Sequence, residues 1–312
     1  MLVIVTSITA LGDSEVRAHA MAGVEDAVVV VTGGGAGVGR TLAREARRRE
    51  ARVVIASDSD TRESADMVAA EGGSASWAAA DVSDDKAMVE LATHVHENFG
   101  NTKFLTDGVD IGAEPDAGLD TALAARLFEV NMCGIRTDTR AFAANSRAAT
   151  SRGEPAHILN DGREHSLGVP PQVMPIGPYL VGKYATLGFT AVAHRDFAGA
   201  GISVTMMAPG SVRIVLVQSM IVTHDHIRAK VVPYAQTCEF IDSHAIDSML
   251  CGLYIAAHNP ASRAFAMEHS RGAAAKVLRL PLTSETECAH DGTGDVSLCP
   301  IDRSLFENTP TK

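Results

Sequence analysis

Two groups of residues in this sequence have the types and spacing to do chemistry. The first is a run of glycines at 33, 34, 35, 37 and 39, reading Thr32-Gly33-Gly34-Gly35-Ala36-Gly37-Val38-Gly39. Such a turn leaves backbone N–H groups open to an anion, since no Cβ blocks the turn or the approach of a pyrophosphate. The second is Tyr179 with Lys183, four residues further on. On a helix that spacing puts both side chains on one face, their Cβ atoms about 5–6 Å apart.

The elements that must position these residues are legible around them. Ala27 to Val31 is a short, apolar, mostly β-branched run, which suits a strand buried on both faces of a parallel sheet. Periodicity alone does not separate such a strand from a buried helix. Arg40 to Glu50, rich in Ala, Arg, Leu and Glu, predicts a helix. Strand, glycine turn and helix together aim free N–H groups and the positive end of a helix dipole at a phosphate. A merely flexible loop would need neither flanking element.

The spacing Thr-Gly-x-x-x-Gly-x-Gly differs from the usual Gly-x-Gly-x-x-Gly fingerprint and resembles the short-chain dehydrogenase/reductase family. The resemblance covers roughly residues 24–270. Besides the glycines it rests on Asp81, on Asn131 within Val130-Asn131-x-x-Gly134, and on Ser166, thirteen positions before Tyr179. The Tyr179/Lys183 pair and Pro209-Gly210 complete it.

Further along, strands and helices alternate. The expected fold class is α/β, a single doubly wound, Rossmann-like parallel sheet with helices on both faces. A second strand runs over residues 51–56 and ends at Ser57-Asp58-Ser59-Asp60. An acid there accepts hydrogen bonds from the adenosine ribose and repels a 2′-phosphate. Asp58 is the choice for that role, although relatives carry the acid one residue earlier, where this chain has Ser57. No arginine is read as following to pair a 2′-phosphate, so NAD is expected ahead of NADP. Thr61 to Glu71 reads as a helix stopped by Gly72-Gly73, and Ser74 to Ala79 as a third strand leading to Asp81-Val82. Ser83 is the expected N-cap of a helix through Phe99.

Thr102 to Thr106 is the expected fourth strand. After it come Asp107-Gly108-Val109-Asp110, where relatives carry Asn-Asn-Ala-Gly. Two carboxylates there bring like charge toward a pyrophosphate. A long helical stretch spans residues 117–144, a turn 150–155, and a fifth strand His157 to Asn160. A helix carries Tyr179 and Lys183, with Tyr184 as a decoy that lacks a lysine four residues on. The sixth strand leads to Pro209-Gly210. Ile214 stands where relatives have a threonine that holds the carboxamide. Residues 215–240 are expected to form a substrate lid; its His224 and His226 look metal-like but lack a third ligand nearby. A helix over His244 to Ala257 and a last strand over Arg263 to Met267 follow.

The resemblance implies the catalytic set Asn131, Ser166, Tyr179 and Lys183. Tyr179 is the implied general acid/base, Lys183 favours its phenolate, Ser166 hydrogen-bonds the reacting oxygen, and Asn131 holds a relay water. Cofactor contacts are implied for Gly33, Gly35, Gly37, Val38, Gly39, Ser57, Asp58, Asp81, Val82, Tyr179, Lys183, Pro209, Gly210 and Val212. The implied activity is NAD(P)-dependent interconversion of a secondary alcohol and a ketone, on a mainly apolar small molecule. The loss of Asn-Asn-Ala-Gly and of the carboxamide threonine supplies an alternative, an impaired member acting as a nucleotide-binding scaffold or sensor. A hydrolase built from Ser166, His165 and Glu164 would need a Gly-x-Ser-x-Gly elbow, which is absent from the sequence.

Composition bounds the rest. A net charge of −11 argues against nucleic acid or an anionic membrane as partner. Five cysteines without a Cys-x-x-Cys pair fit a reduced, cytoplasmic protein with no metal site. Residues 1–23 read as an N-terminal extension, 24–280 as the catalytic domain and 281–312 as a polar tail. Apolar surplus on the helix from Tyr179 to Ala198 points to a homodimer or homotetramer.

Overall fold

The apolar run before the glycines folds as strand β1 (Val28–Thr32), buried along its whole length. Val28 and Val30 join one layer of core, Val29 and Val31 the other. Successive side chains of a strand point to opposite faces, so a strand covered on both must be apolar throughout. In chain order there follow α1 (Gly37–Arg48), β2 (Arg52–Ser57), α2 (Arg62–Ala70), β3 (Ala75–Ala79), α3 (Asp85–Phe99) and β4 (Thr102–Asp107). Next come α4 (Thr121–Phe128), a π-helical turn (Glu129–Cys133), α5 (Gly134–Thr150), β5 (Ala156–Asp161) and a 3-10 turn (Glu164–Ser166). The order closes with α6 (Gly177–Ala198), β6 (Ile202–Met207), α7 (Cys238–Leu250), β7 (Ile255–Ala256) and α8 (Pro260–Val277). The computed structural model describes residues 23–57, 62–70, 75–107, 120–170, 176–213, 229 and 232–277.

The strands form one parallel sheet ordered β3-β2-β1-β4-β5-β6-β7. Leu42 of α1 and Ile246 and Met249 of α7 cover one face; Met88 of α3, Phe142 of α5 and Phe197 of α6 cover the other. Each such side chain contributes about 1.5–3 kcal/mol by leaving water. The sheet is therefore doubly wound, as expected. Strand order reverses between β1 and β4, and ligands of such sheets bind beyond the C-terminal ends at that point. Thr32, Asp107 and Asn160 lie side by side there in register. The chain divides into two units, Met1–Ser270 and Arg271–Lys312; the first holds the whole sheet.

Four expectations are corrected. Residues 263–267 are helical, within α8, because Pro260 opens that helix and Asn259 caps it, its side chain accepting from the N–H of Ala261 and Ser262. The last strand is instead Ile255–Ala256. The helix expected from His244 to Ala257 starts earlier, at Cys238 under a Thr237 cap, and ends at Leu250, with Gly252 just beyond at φ 66°. Asp84, not Ser83, caps α3, accepting from the N–H of Lys86 and Ala87. The Ser83 hydroxyl is instead donated to Asp81. The long helical stretch also runs on to Thr150, interrupted by the π turn. Among the described residues no helix is long and apolar enough to cross a membrane.

Candidate active site

The glycine turn leaves β1 and opens α1. Gly33 sits at φ 67°, a conformation that favours glycine, and a Cβ on Gly39 would run into the Gly33 carbonyl. Ala36 caps α1 without any side-chain hydrogen bond, and the first turn carries no acid. Neither a cap side chain nor a first-turn acid thus accepts from the leading N–H groups of α1, which lie at the positive end of the helix. A pyrophosphate fits such a terminus, and Gly39 rests against the Gly33 carbonyl only because it lacks a Cβ.

Arg40 braces this turn from behind. Its Nε and Nη2 donate to the Gly35 carbonyl at 3.1 and 2.5 Å, and the buried Ser64 hydroxyl donates to the same oxygen at 3.0 Å. Arg40 also bonds Ser64 Oγ and pairs with Glu63. Ser57 ends β2 and is buried. Asp58, the expected ribose acid, lies outside the described residues. An arginine does follow it, contrary to the expectation: Arg62 opens α2, with its guanidinium over Trp77 at 5.2 Å.

Asp81 lies beyond β3. Its Oδ1 accepts the amide and hydroxyl of Ser83 at 2.9 and 2.7 Å, and Oδ2 takes Arg126 at 2.7 Å. Burial pushes this carboxyl up, but the Ser83 donors and the Arg126 guanidinium together hold it below the usual carboxylate range. Val82 is buried against Gly134, where a Cβ would come within 2.8 Å of it.

The expected catalytic residues gather around α6. Tyr179 and Lys183 are both buried, Lys183 completely, and its Nζ stands 5.9 Å from the Tyr179 ring centroid. That ammonium donates to the Asp161 carbonyl at 3.0 Å, so the end of β5 fixes the lysine. Asn131 lies in the π turn, completing the segment that packs on α6; a Cβ on Gly182 would sit 3.4 Å from its own. Ser166 ends the 3-10 turn that also packs on α6, and its Oγ accepts the Arg163 N–H at 3.1 Å. His165 meets Tyr179 edge-on at 5.8 Å. Tyr184 points elsewhere, its hydroxyl 3.2 Å from His269 Nε2.

On the third side, the Pro209 carbonyl accepts the Glu164 N–H at 2.8 Å. Gly210 follows, and Val212 is buried with Ile241 and Cys238 against Val38 of the glycine turn. The Glu164 carboxylate accepts the Ser262 hydroxyl at 2.5 Å. Arg40, Ser64, Arg126 and Ser262 were not foreseen from sequence; the Asn-Pro start of α8 was the one available signal for the last. Ile214, His224 and His226 lie outside the described residues, as does Gly108 to Asp110, and of Asp107 only the backbone is described. Among the described residues no group of three or more His, Cys, Asp or Glu could hold a metal.

Sheet and turn define the doubly wound, nucleotide-binding class of α/β proteins. More narrowly, the short chain dehydrogenase model matches residues 27–223, and the chain belongs to that family. It is similar to the probable oxidoreductase EphD of Mycobacterium tuberculosis, 30% identical over 189 residues. That match covers 59% of this chain and 31% of that protein, so the chain spans about a third of that relative. It is 29% identical over 196 residues to the 2,5-dichloro-2,5-cyclohexadiene-1,4-diol dehydrogenase of Sphingobium indicum, covering 61% of this chain and 74% of that one. A short chain dehydrogenase/reductase from Burkholderia phymatum, solved with NAD, shares the fold at TM-score 0.70 and 21% identity, covering 84% and 98% of the two chains.

Proposed function

We propose that this protein is a nicotinamide-dependent oxidoreductase that interconverts a secondary alcohol and a ketone. The observation that carries the reading is the gathering of Tyr179, Lys183, Asn131 and the Ser166 turn around one helix, beside Pro209 and Gly210. A free phenol has a pKa of about 10, too high for efficient proton transfer near neutrality. The buried Lys183 ammonium favours the phenolate of Tyr179, which then takes or returns the proton of the substrate oxygen. Ser166 Oγ, which accepts the Arg163 N–H, donates its own hydroxyl hydrogen to that oxygen, and Asn131 orders a water toward the lysine. The nicotinamide, when bound, supplies or accepts the hydride.

For the cofactor, the glycine turn and the uncapped α1 hold the pyrophosphate, with Val38, Ser57, Asp58, Asp81, Val82 and Val212 along the rest. NAD is favoured over NADP by Asp58; Asp58→Ala should erase that preference in affinity titrations with the two nucleotides. The similarity to a cyclohexadiene-diol dehydrogenase supports cyclic secondary alcohols as first substrates to try. Val181 and Val192, 52% and 49% exposed on α6, support pairing of subunits through that helix. A monomeric mass in sedimentation at micromolar concentration would count against it.

The purified protein, given NAD and a panel of cyclic secondary alcohols, should reduce the nucleotide, and Tyr179→Phe should not. Nucleotide binding with no turnover of any alcohol or ketone would favour the scaffold reading instead.

A further inference from the structure

The family match ends at residue 223, yet the catalytic turn is held by residues well beyond it. On α8, Ser262, Phe265 and His269 recur at the spacing of one helical face. All three meet the β5–α6 connection or α6. Ser262, 1% exposed, donates its hydroxyl to Glu164 Oε2 at 2.5 Å. Phe265 and His269 press on Gly168, where a Cβ would lie 2.6 Å from Phe265 Cζ and 2.8 Å from His269 Cγ. His269 also reaches the Tyr184 hydroxyl on α6.

The same helix start holds two further loops. Gly210 fits because it lacks a Cβ, which would lie 2.8 Å from Ser262 Oγ and 2.9 Å from Asn259 Nδ2. Asn259 Nδ2 donates to the Tyr234 carbonyl at 2.9 Å. Glu164 in turn donates its N–H to Pro209, and its carbonyl accepts from Leu167. One short segment, residues 259–269, thus ties the turn carrying Ser166 to the Pro209-Gly210 loop, to Tyr234 and to α6.

We propose that α8 is a strap that positions the catalytic turn, with Ser262 and Glu164 as the positioning pair. Neither residue touches the reacting atoms. Their bond fixes the turn Glu164–Gly168, and with it the distance from Ser166 to Tyr179. A carboxylate accepting from a buried hydroxyl is among the stronger hydrogen bonds, and losing one partner strands the other. The kinetic arm of this proposal rests on the alcohol–ketone reading above; its structural arm does not.

The test compares Ser262→Ala, the rescue variants Ser262→Thr and Glu164→Gln, and the wild type in the full chain. Ser262→Ala should lower kcat by about 10- to 100-fold, the scale of a small misplacement of reacting groups. The alcohol KM and the nucleotide Kd, read by nicotinamide fluorescence, should stay within about twofold, as loss of a transition-state contact alone predicts. Ser262→Thr keeps the donor and Glu164→Gln keeps an oxygen acceptor, so both should recover most of the rate. Hydrogen exchange should accelerate at the amides of residues 164–168 in Ser262→Ala and return in Ser262→Thr. Wild-type turnover in Ser262→Ala, or unchanged exchange at 164–168, overturns the proposal. If the wild type turns over no alcohol, the reaction assignment fails, while faster exchange in that segment still supports the strap.

Discussion

Lys183, fully buried on α6, donates its ammonium to the carbonyl of Asp161, the last residue of β5. Strand and helix are 22 residues apart in sequence at this contact, and it sets the charge one turn beyond Tyr179. A positioned cation favours the charged form of a neighbouring phenol. Tyr179→Phe removes the proposed proton-transfer group and little else, so turnover should drop by at least about 10²-fold with nucleotide affinity nearly intact. Steady-state kinetics beside a binding titration check this. Ordinary turnover by the phenylalanine variant ends the assignment.

Gly39 tests the cradle. Its missing Cβ is what lets the first turn of α1 rest on the Gly33 carbonyl. Gly39→Ala drives the new Cβ into the Gly33 carbonyl, and overpacking of that kind costs about 1–3 kcal/mol. The expected result is a lower melting temperature together with nucleotide affinity reduced by at least about tenfold. Affinity equal to wild type would mean that the pyrophosphate lies elsewhere.

Much of this was legible beforehand because the strands are apolar runs bounded by glycine or polar turns. β1 is one such run, apolar throughout because helices bury both its faces, and the glycine turn and helix after it separate it from a buried helix. The C-terminal end was less legible. Ala-Phe-Ala-Met over 264–267 looks like a strand, but the start signal five residues earlier, Asn259-Pro260, decides for a helix. Ser83 and Asp84 are both good caps by type; Asp81 takes the serine hydroxyl, which leaves the cap to Asp84. The site's bracing was not legible at all. Ser64 meets Arg40 across 24 residues and Ser262 meets Glu164 across 98, and no local pattern encodes such pairs.

Arg40 and Ser64 hold the Gly35 carbonyl away from the cradle with three hydrogen bonds. A peptide unit is planar and trans, so turning that oxygen toward α2 turns the Ala36 N–H the opposite way. Arg40→Ala should therefore weaken nucleotide binding by about 5- to 30-fold, the equivalent of losing a hydrogen bond of 1–2 kcal/mol. Glu63→Gln removes only a solvent-exposed ion pair and should change affinity by less than about threefold. Isothermal titration of both variants separates them. Equal affinities in all three proteins would show the turn holding its shape without the brace.

The last prediction concerns a buried acid. Asp242 of α7 is completely buried opposite α1. Thr41 faces it, but that hydroxyl is turned to the Gly37 and Val38 carbonyls at 3.3 and 3.0 Å, and the carboxyl oxygens find no hydrogen-bond donor among the described residues. Burial pushes the carboxyl up to about 8, and the charges of Asp161, Glu45 and Glu239 add to the shift. The folded protein then keeps a proton up to about pH 8 that the unfolded chain releases near pH 4. Across that window the folded state binds more protons, so stability falls as pH rises. Buried His157 and half-buried His258 act with the opposite sign. Burial lowers each from 6.5 to about 4, so their contribution is lost as pH falls through that interval. Measurements from pH 6.5 to 8 therefore separate Asp242 from these two histidines. Asp242→Asn keeps the shape and removes the titration. It should flatten the slope there and raise stability at pH 8 by roughly 1–3 kcal/mol, the range for a stranded buried polar group. Urea unfolding at several pH values reads both quantities, and identical slopes for the two proteins would mean that the folded carboxyl is already ionised at pH 6.5.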